Sequence, residues 1–299
     1  MCCSPQCWTW RAADTLTFMW KEMLHSFGRT LNRAGQGNAT RVGLALGGGF
    51  ARGVAHIGVL RAFERANIPI HSIAGVSAGS VVAACYASGR SPEEIEEIAM
   101  GMKFRDVARW TVDWLGVLDS ERMNPFLQKS LRVDRFEKMR IPLAVVASDL
   151  RSGTPAVFRK FGDVIAPVRA SCSYPGLFKP VDCGGRLLVD GMVAMEVPAK
   201  PLVEMGATHV VSVYLPAEEE SVDPLSLVAV VNRCFQLMSS RTESEWRRYS
   251  DAVIVPRVAD VSWDSFEHVR HTIAAGEAAA GLVIPRIREW FDVVKLPTG

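Results

Sequence analysis

The stretch LALGGGFARGVAHIGVL, residues 44–60, places three consecutive glycines directly after a short apolar run and directly before a helical pattern. Glycine loses more backbone entropy on folding than any other residue, so glycines at the end of a buried strand indicate a need for bare backbone or for positive φ. Backbone N–H groups exposed in this way cradle a phosphate, bind a dinucleotide or stabilise an oxyanion. The sequence therefore predicts a binding or catalytic loop between a strand and a helix.

A second motif, GVSAG at residues 75–79, also lies between an apolar strand-like run and a helical pattern. This is the G-x-S-x-G pattern of a nucleophile elbow, in which the serine, here Ser77, sits on a sharp turn. Gly75 and Gly79 lack side chains, which lets the turn close. The helix that follows directs its N–H groups and the positive end of its dipole at the reacting atoms. The pattern predicts that Ser77 is a nucleophile.

Beside a serine nucleophile, the triple glycine is best explained as an oxyanion hole. A dinucleotide-binding G-x-G-x-x-G would require glycine where Phe50 or Arg52 stands, and no Gly-Lys-Ser/Thr ends the loop as in a phosphate-binding P-loop. An oxyanion hole needs unobstructed peptide N–H groups close to the developing charge. Arg52 is expected to face an anion, a carboxylate or solvent. The predicted oxyanion residues are Gly47, Gly48, Gly49, Arg52 and Gly53.

A third candidate stands after a strand-like run, where Asp190 is followed by Gly191. Alone, this pair is typical of a turn. Together with the two glycine motifs, however, it resembles the motif set of the patatin-like phospholipases, in particular a bacterial branch related to the catalytic domain of neuropathy target esterase. Further similarity lies in residues 54–70, 147–158 and 168–181, and the resemblance covers about residues 41–280.

The resemblance implies a three-layer α/β/α fold and a Ser77–Asp190 dyad that works without histidine. In the mechanism of this family, the aspartate accepts the serine hydroxyl proton, the serine attacks an ester carbonyl, and water then releases the fatty acid from an acyl-enzyme. The chain departs from the family pattern at Phe50, where a fourth glycine is common, and at Met192, where glycine or alanine is common. We expect these departures to affect the shape of the pocket or the rate.

The expected function is that of a serine acyl hydrolase (a lipase, an A-type phospholipase or a lysophospholipase) that cleaves fatty-acyl esters. The sequence leaves two alternatives open. An α/β-hydrolase-type esterase with a Ser-Asp-His triad would use His209, His268 or His271, which all lie C-terminal to the nucleophile. A lipid-binding regulatory protein with weak turnover would be consistent with the departures at Phe50 and Met192.

From residue 42 onward, short apolar runs alternate with helical patterns, which predicts an α/β fold with a mostly parallel central sheet. We expect this patatin-like catalytic domain to span residues 41–295. The segment RWTVDWLGVL, residues 109–118, is expected to form a packed helix or a lipid-facing cap. The predicted strands are residues 42–46, 73–76, 143–147, 209–213 and 252–255, and the predicted helices are residues 54–66, 79–88, 92–102 with Ser91 as N-cap, and 225–247.

Residues 1–40 are expected to form an N-terminal extension that differs in character from the rest. Residues 1–41 contain five basic and two acidic residues. Apolar residues recur at helical spacing from Leu16 to Leu31, including Trp20 and Phe27, which predicts an amphipathic helix. This helix either packs on the catalytic domain or lies on a membrane surface, since it is basic and carries aromatic residues on its apolar face.

The composition limits which partners, cofactors and cellular locations are expected. The chain of 299 residues is 48% hydrophobic and 22% charged with a net charge of +2, so no nucleic-acid partner is expected. No apolar stretch is long enough for a membrane-spanning helix. Charged residues interrupt any signal-peptide pattern, and seven cysteines, an odd number, fit a reducing compartment, so we expect a cytoplasmic location. No metal and no cofactor are expected, and the oligomeric state is left open.

Overall fold

The computed structural model describes residues 39–102, 104–107, 109–113, 116–216, 227–258, 261 and 268–292. These residues form ten strands. In chain order the strands are β1 (Val42–Leu46), β2 (Ile70–Val76), β3 (Arg109–Asp113), β4 (Gly116–Asp119), β5 (Leu143–Asp149), β6 (Pro155–Arg159), β7 (Val181–Cys183), β8 (Arg186–Asp190), β9 (His209–Val213) and β10 (Ala252–Ile254). The predicted N-terminal extension and its amphipathic helix lie outside the described residues, apart from residues 39 and 40.

Eight of the strands form the central sheet, in the order β10-β9-β1-β2-β5-β8-β7, with β6 also paired to β5. The five strands from β10 to β5 are parallel to their neighbours, whereas β6, β7 and β8 add antiparallel pairs. The expectation of a mostly parallel sheet therefore holds for the five strands on the side of β1. The other side of the sheet is antiparallel.

Nine helices accompany these strands in the described ranges. They are α1 (Ala55–Arg65), α2 (Ala78–Ala87), α3 (Pro92–Gly101), α4 (Phe104–Val107), α5 (Met123–Ser130), α6 (Ile165–Ser171), α7 (Ala199–Glu204), α8 (Leu227–Arg247) and α9 (Val269–Asp292). A 3₁₀ turn, Phe50–Val54, precedes α1. The N-cap prediction for α3 is confirmed, because Ser91 and Glu94 form a reciprocal capping box.

The two faces of the sheet carry separate apolar layers. On β1, Val42, Leu44 and Leu46 pack in a core with residues of α1, α2 and α9. Ala45 points to the other face and packs with residues of α7 and α8, including Trp246. Successive strand residues face opposite sides of a sheet, so a strand buried on both sides carries apolar residues without alternation. The α/β/α layering expected from the sequence is confirmed.

Helices α1 and α9 cross at two glycines. A Cβ on Gly58 would overlap the backbone of Ile273, and a Cβ on Gly276 would overlap the backbone of Ala55. Only glycine therefore allows the two helix backbones to approach this closely. The crossing holds the C-terminal helix against the helix that follows the glycine loop.

One expected element differs in the structure. Residues 109–113 and 116–119 form the antiparallel pair β3–β4 rather than a helix, and Leu118 of β4 also pairs with Phe178. The aromatic and β-branched residues of this segment favour strands. Within the part of the chain that the structure describes, every helix is too short or too polar to cross a lipid bilayer.

Candidate active site

The central feature of the site is that two strands meet end to end on one edge of β5. Strand β2 pairs with residues 143–146 of β5, and β8 pairs with residues 147–149. Strand β6 pairs with residues 144–148 and so occupies one of the two edges of β5. Because β2 and β8 both pair with β5 residues that also pair with β6, they both lie on the opposite edge. Val76 lies opposite Val146, and Asp190 lies opposite Ala147. Ser77, the next residue after β2, is thereby brought to Asp190.

Ser77 occupies a strained turn. Its φ is +51° and its ψ is −129°, a combination that non-glycine residues rarely adopt, and the residue is 4% exposed. The glycines of the motif are required by close contacts. A Cβ on Gly75 would overlap the backbone of Ser80, and a Cβ on Gly79 would overlap the carbonyl groups of Leu46 and Gly47. The elbow predicted from the sequence thus has its expected geometry, and it lies against the glycine loop.

A second serine holds the strained backbone of Ser77. The Ser77 N–H donates to Ser171 Oγ at 2.8 Å, and the Ser171 hydroxyl donates to the carbonyl of Val146 at 2.6 Å. On the other side, Ser80 Oγ donates to the Ser77 carbonyl at 2.6 Å. The sequence reasoning did not single out Ser171, although it lies in residues 168–181, which carry part of the family resemblance.

Asp190 is buried completely and ends β8 beside the nucleophile. Its Oδ1 accepts a hydrogen bond from the Met192 N–H at 2.9 Å, while Oδ2 has no described partner of hydrogen-bonding geometry. Burial raises the pKa of the Asp190 carboxyl from 3.8 to about 7, and interactions with the Met192 N–H and the Ser77 hydroxyl oppose this rise. The Ser77 hydroxyl thus interacts with the Asp190 carboxyl, while Oδ2 has no hydrogen-bond partner among the described residues. The carboxyl has the free oxygen and the basicity that a proton acceptor needs.

Ser148 fixes the turn that follows Asp190. Its hydroxyl donates to the Asp190 carbonyl at 2.8 Å and accepts from the Ala194 N–H at 3.0 Å. Gly191 is required here, because a Cβ would overlap the Val146 carbonyl. Ser148 is another residue that the sequence reasoning missed, and it too lies in a stretch that carries the resemblance, residues 147–158.

The glycine loop leaves β1 at the same end of the sheet as Ser77. Two of its N–H groups are used within the protein: that of Gly47 donates to the Val213 carbonyl at 3.1 Å and that of Gly48 to the Glu196 carbonyl at 3.4 Å. No described residue accepts a hydrogen bond from Gly49. Among the three glycines of the loop, Gly49 is thus the one whose N–H has no acceptor among the described residues.

The other two predicted oxyanion residues have packing or anchoring contacts. Gly53 lies against Ala78, the residue after the nucleophile, so closely that a Cβ on Gly53 would overlap the Ala78 methyl group. Arg52 Nη1 donates to the Pro216 carbonyl at 3.1 Å. Through Nη1, Arg52 is therefore bonded to the backbone of the segment after β9 and not to a carboxylate.

His56 supports the loop from behind. Its Nε2 lies 2.9 Å from the Gly47 carbonyl oxygen, so this nitrogen carries the proton and donates. Burial lowers the pKa of His56 to about 4, and the ring is neutral at neutral pH. The sequence reasoning did not assign a role to His56. The signal available in the sequence is a histidine within an apolar helical pattern, seven residues after the last of the three glycines.

The two departures from the family pattern lie on either side of the site. The Met192 side chain covers Gly48, where a Cβ would overlap its Sδ and Cγ. The Phe50 ring packs edge-to-face on Tyr174 with centroids 4.9 Å apart, and Tyr174 packs on Phe235 at 5.1 Å. Of these residues, Phe50 also lines the apolar cavity that contains Ser77.

The three histidines of the triad alternative lie away from the elbow. His209 pairs with Val42 and stacks on Trp290, with ring centroids 4.5 Å apart. This is the opposite end of the parallel strands from Ser77, and four strand residues correspond to roughly 13 Å. His268 and His271 are exposed beside and on α9, whereas the Ser77–Asp190 pair is buried.

An apolar cavity of about 160 Å³ opens beside Ser77. It lies between α1, α2, α3 and α5, and Phe178 from the loop before β7 also lines it. Within the described ranges, no cluster of three or more histidine, cysteine, aspartate or glutamate side chains has the arrangement of a metal site. The site as described consists of a strained serine, a buried carboxyl, a glycine loop and an apolar pocket.

Comparison with known proteins assigns this α/β protein with a nucleophile elbow to a class. The patatin-like phospholipase family model matches residues 44–203, which is more than half of the chain. The chain belongs to the patatin-like phospholipase family. The family resemblance inferred from the three motifs is confirmed.

Individual relatives agree with this assignment. An NTE family protein of Mycobacterium tuberculosis is 34% identical over 185 residues, which cover 61% of this chain and 51% of the relative. The lysophospholipase NTE1 of Cryptococcus neoformans is 33% identical over 181 residues, which cover 58% of this chain and 11% of that protein. The chain thus spans about half the length of the first of these relatives, and much less of the second. The crystal structure of VipD from Legionella pneumophila has the same fold, with a TM-score of 0.56, 14% identity and coverage of 84% of this chain and 67% of VipD.

Proposed function

We propose that this chain is a serine acyl hydrolase that cleaves fatty-acyl esters with Ser77 as nucleophile and Asp190 as general base. The observation that carries the proposal is the pairing of a strained, buried serine with a buried carboxyl whose Oδ2 has no described partner. A carboxylate is a weak base toward an alcohol, and burial that raises the Asp190 pKa to about 7 makes it a stronger one.

The proposed reaction has two halves. In the first half, Asp190 takes the Ser77 hydroxyl proton while Oγ attacks the ester carbonyl, and the tetrahedral oxyanion is stabilised by backbone N–H groups. The alcohol leaves with the proton, and an acyl-enzyme remains on Ser77. In the second half, Asp190 takes a proton from water, which attacks the acyl carbonyl and releases the fatty acid.

We assign the oxyanion donors to the N–H groups of Gly49 and Ala78. Ala78 is the residue after the nucleophile and the first residue of α2, so its N–H has no acceptor within the helix. Gly53 packs against Ala78, which keeps the glycine loop next to this helix end. His56, through the Gly47 carbonyl, holds the same loop in position.

The proposed substrates are phospholipids, lysophospholipids or neutral acyl esters. Fatty-acyl esters suit a cavity whose lining is almost wholly apolar beside a serine nucleophile. The name of the Cryptococcus neoformans relative is consistent with a lysophospholipid substrate. No cofactor or metal takes part in the proposed reaction.

Trapping the acyl-enzyme tests the proposal. The purified chain is mixed with vesicles of phosphatidylcholine or lysophosphatidylcholine and quenched in acid, and the peptide containing Ser77 is examined by mass spectrometry. We expect fatty acid release together with an acyl group on Ser77. Lipid binding without acylation and without fatty acid release would contradict the proposal and favour the lipid-binding regulatory alternative.

We further propose that residues 1–40 attach the catalytic domain, residues 41–295, to the surface of a membrane in the cytoplasm. The proposal rests on the basic charge and the aromatic stripe of the extension. Deleting residues 1–40 is expected to weaken flotation with liposomes while hydrolysis of a soluble short-chain ester is retained. Unchanged flotation would contradict this role.

A further inference from the structure

We propose that the cavity beside Ser77 is a binding site for one acyl chain, and that Ile98, Met102 and Phe126 form a wall that sets the chain length. This inference rests on the proposed function, because the acyl chain belongs to the ester that Ser77 attacks. It adds the residues that select the substrate.

The cavity follows one face of α2 away from the nucleophile. Ala78, Val81, Val82 and Cys85 line it in succession, and these residues lie on a single helix face. From Ala78 to Cys85 the helix rises roughly 10 Å. Cys85 and Ile95, which also line the cavity, are both buried. An acyl group on Ser77 therefore has an apolar path along this face of α2.

The volume limits how much of a chain fits. The cavity measures about 160 Å³. An apolar cavity of about 150 Å³ in another protein stays dry and admits benzene, which has six carbons. The closed cavity is thus large enough for a chain of about six carbons. A longer chain needs additional space.

That additional space lies behind the proposed wall. A second, more open groove of about 570 Å³ is bordered by α3, α5 and residues between them, including Glu97, Arg122 and Lys129. Ile98, Met102 and Phe126 line both the apolar cavity and this groove, so they stand between the two. All three side chains are partly buried, and shortening one of them joins the two spaces.

The inference has a quantitative consequence for esters of increasing chain length. Each methylene group buried in the transition state raises kcat/KM about three- to fourfold. We expect this rise from acetate to hexanoate and then a plateau or a fall for decanoate and palmitate. Ile98→Ala should raise the ratio of kcat/KM for palmitate to that for hexanoate at least tenfold. Ala99→Phe, which fills the cavity from α3, should lower the ratio of kcat/KM for hexanoate to that for acetate at least tenfold.

The test uses a series of p-nitrophenyl esters with the full chain and these two variants. Ile141→Ala is the matched control, because Ile141 is partly buried at the edge of the same core but lines neither space. Thermal unfolding shows which variants are folded, and Phe126→Ala replaces Ile98→Ala if the latter does not fold. The proposal would be overturned if Ile98→Ala and Ala99→Phe both gave the same dependence of kcat/KM on chain length as Ile141→Ala. So would a flat wild-type profile while a fluorophosphonate probe still labels Ser77. Loss of labelling and of all ester hydrolysis in the wild-type chain would instead count against the proposed function itself.

Discussion

Replacing Ser77 with alanine is expected to abolish ester hydrolysis and fluorophosphonate labelling, and Asp190→Asn is expected to lower kcat about 10⁴-fold or more. Asparagine keeps the size and shape of the side chain but cannot accept the serine proton. The backbone contacts of residue 190, from Ser173 and Ser148, do not depend on the carboxylate. Steady-state kinetics with a short-chain ester, together with labelling, measure both effects.

The pH dependence gives a second readout for Asp190. Only the ionised carboxyl accepts a proton, and its pKa is raised to about 7. We therefore expect wild-type kcat/KM to rise about tenfold per pH unit below pH 7 and to level off above it. His56 has a pKa lowered to about 4 and stays neutral over this range. Asp190→Asn should lose the slope near pH 7 along with the activity.

Stability measurements test whether the loss of activity in Asp190→Asn comes from unfolding. A carboxyl whose pKa rises from 3.8 to about 7 on folding binds its proton more tightly in the folded state. The free energy of unfolding therefore falls as the pH rises from about 4 to 7, by roughly 4 kcal/mol in total, and stays lower above pH 7. Asp190→Asn removes this cost, so the variant should unfold at an equal or higher temperature than the wild type at pH 8.

Histidine variants separate a dyad from a triad. His209→Ala, His268→Ala and His271→Ala should each keep substantial activity, because these residues lie at the far end of β9 or on the exposed side of α9. A folded variant of one of them that matches the loss in Ser77→Ala would show that an imidazole is on the proton path. The dyad would then be wrong.

Gly48→Val is expected to lower kcat about 10²- to 10³-fold with the fold retained. The valine Cβ would overlap the end of the flexible Met192 side chain, and Gly48 does not have a positive φ, so the backbone tolerates the change. Displacing Met192 disturbs its N–H bond to Asp190, and displacing the loop moves the Gly49 N–H. Loss of one oxyanion donor alone costs about this much.

Two further variants make this result specific. Met192→Ala in the Gly48→Val background creates space for the valine and should recover part of the activity. Gly281→Val, on α9, is the matched control, since a Cβ there meets nothing within 4 Å. Near wild-type kcat in a Gly48→Val protein with normal circular dichroism would rule out a catalytic role for the loop.

The parts of the site that could be predicted from the sequence are those in which neighbouring residues determine the geometry. The elbow around Ser77 and the glycine loop after β1 are of this kind, because each is a strand, a turn and a helix in direct succession. His56, Ser148 and Ser171 were missed, since their contacts join residues that are 9 to 94 positions apart. The meeting of β2 and β8 on β5 depends on sheet topology, which no local pattern encodes.

The same distinction applies to the fold. Strand β1 was predicted with its observed bounds, since all five of its residues are buried and apolar or small. The segment 109–118 was expected to form a packed helix or a lipid-facing cap, but its described residues form β3 and β4, which pair with each other, because aromatic and β-branched residues favour strands. The cavity is lined by residues of five helices that are separate in sequence, so its size could not be predicted from any one of them.

The position of β1 inside the sheet implies that the part of the chain that must fold together is longer than the part that matches the family model. The matched residues end at 203, yet β1 pairs along its whole length with β9, which begins at His209, and α1 is packed against α9. A fragment that stops at the end of the match would leave the edge of β1 unpaired and the glycine face of α1 uncovered. Unpaired strand edges join other chains, so such a fragment is prone to aggregate rather than to fold. The residues that carry the chemistry are therefore completed, late in synthesis, by a segment that lies beyond the match to the family model.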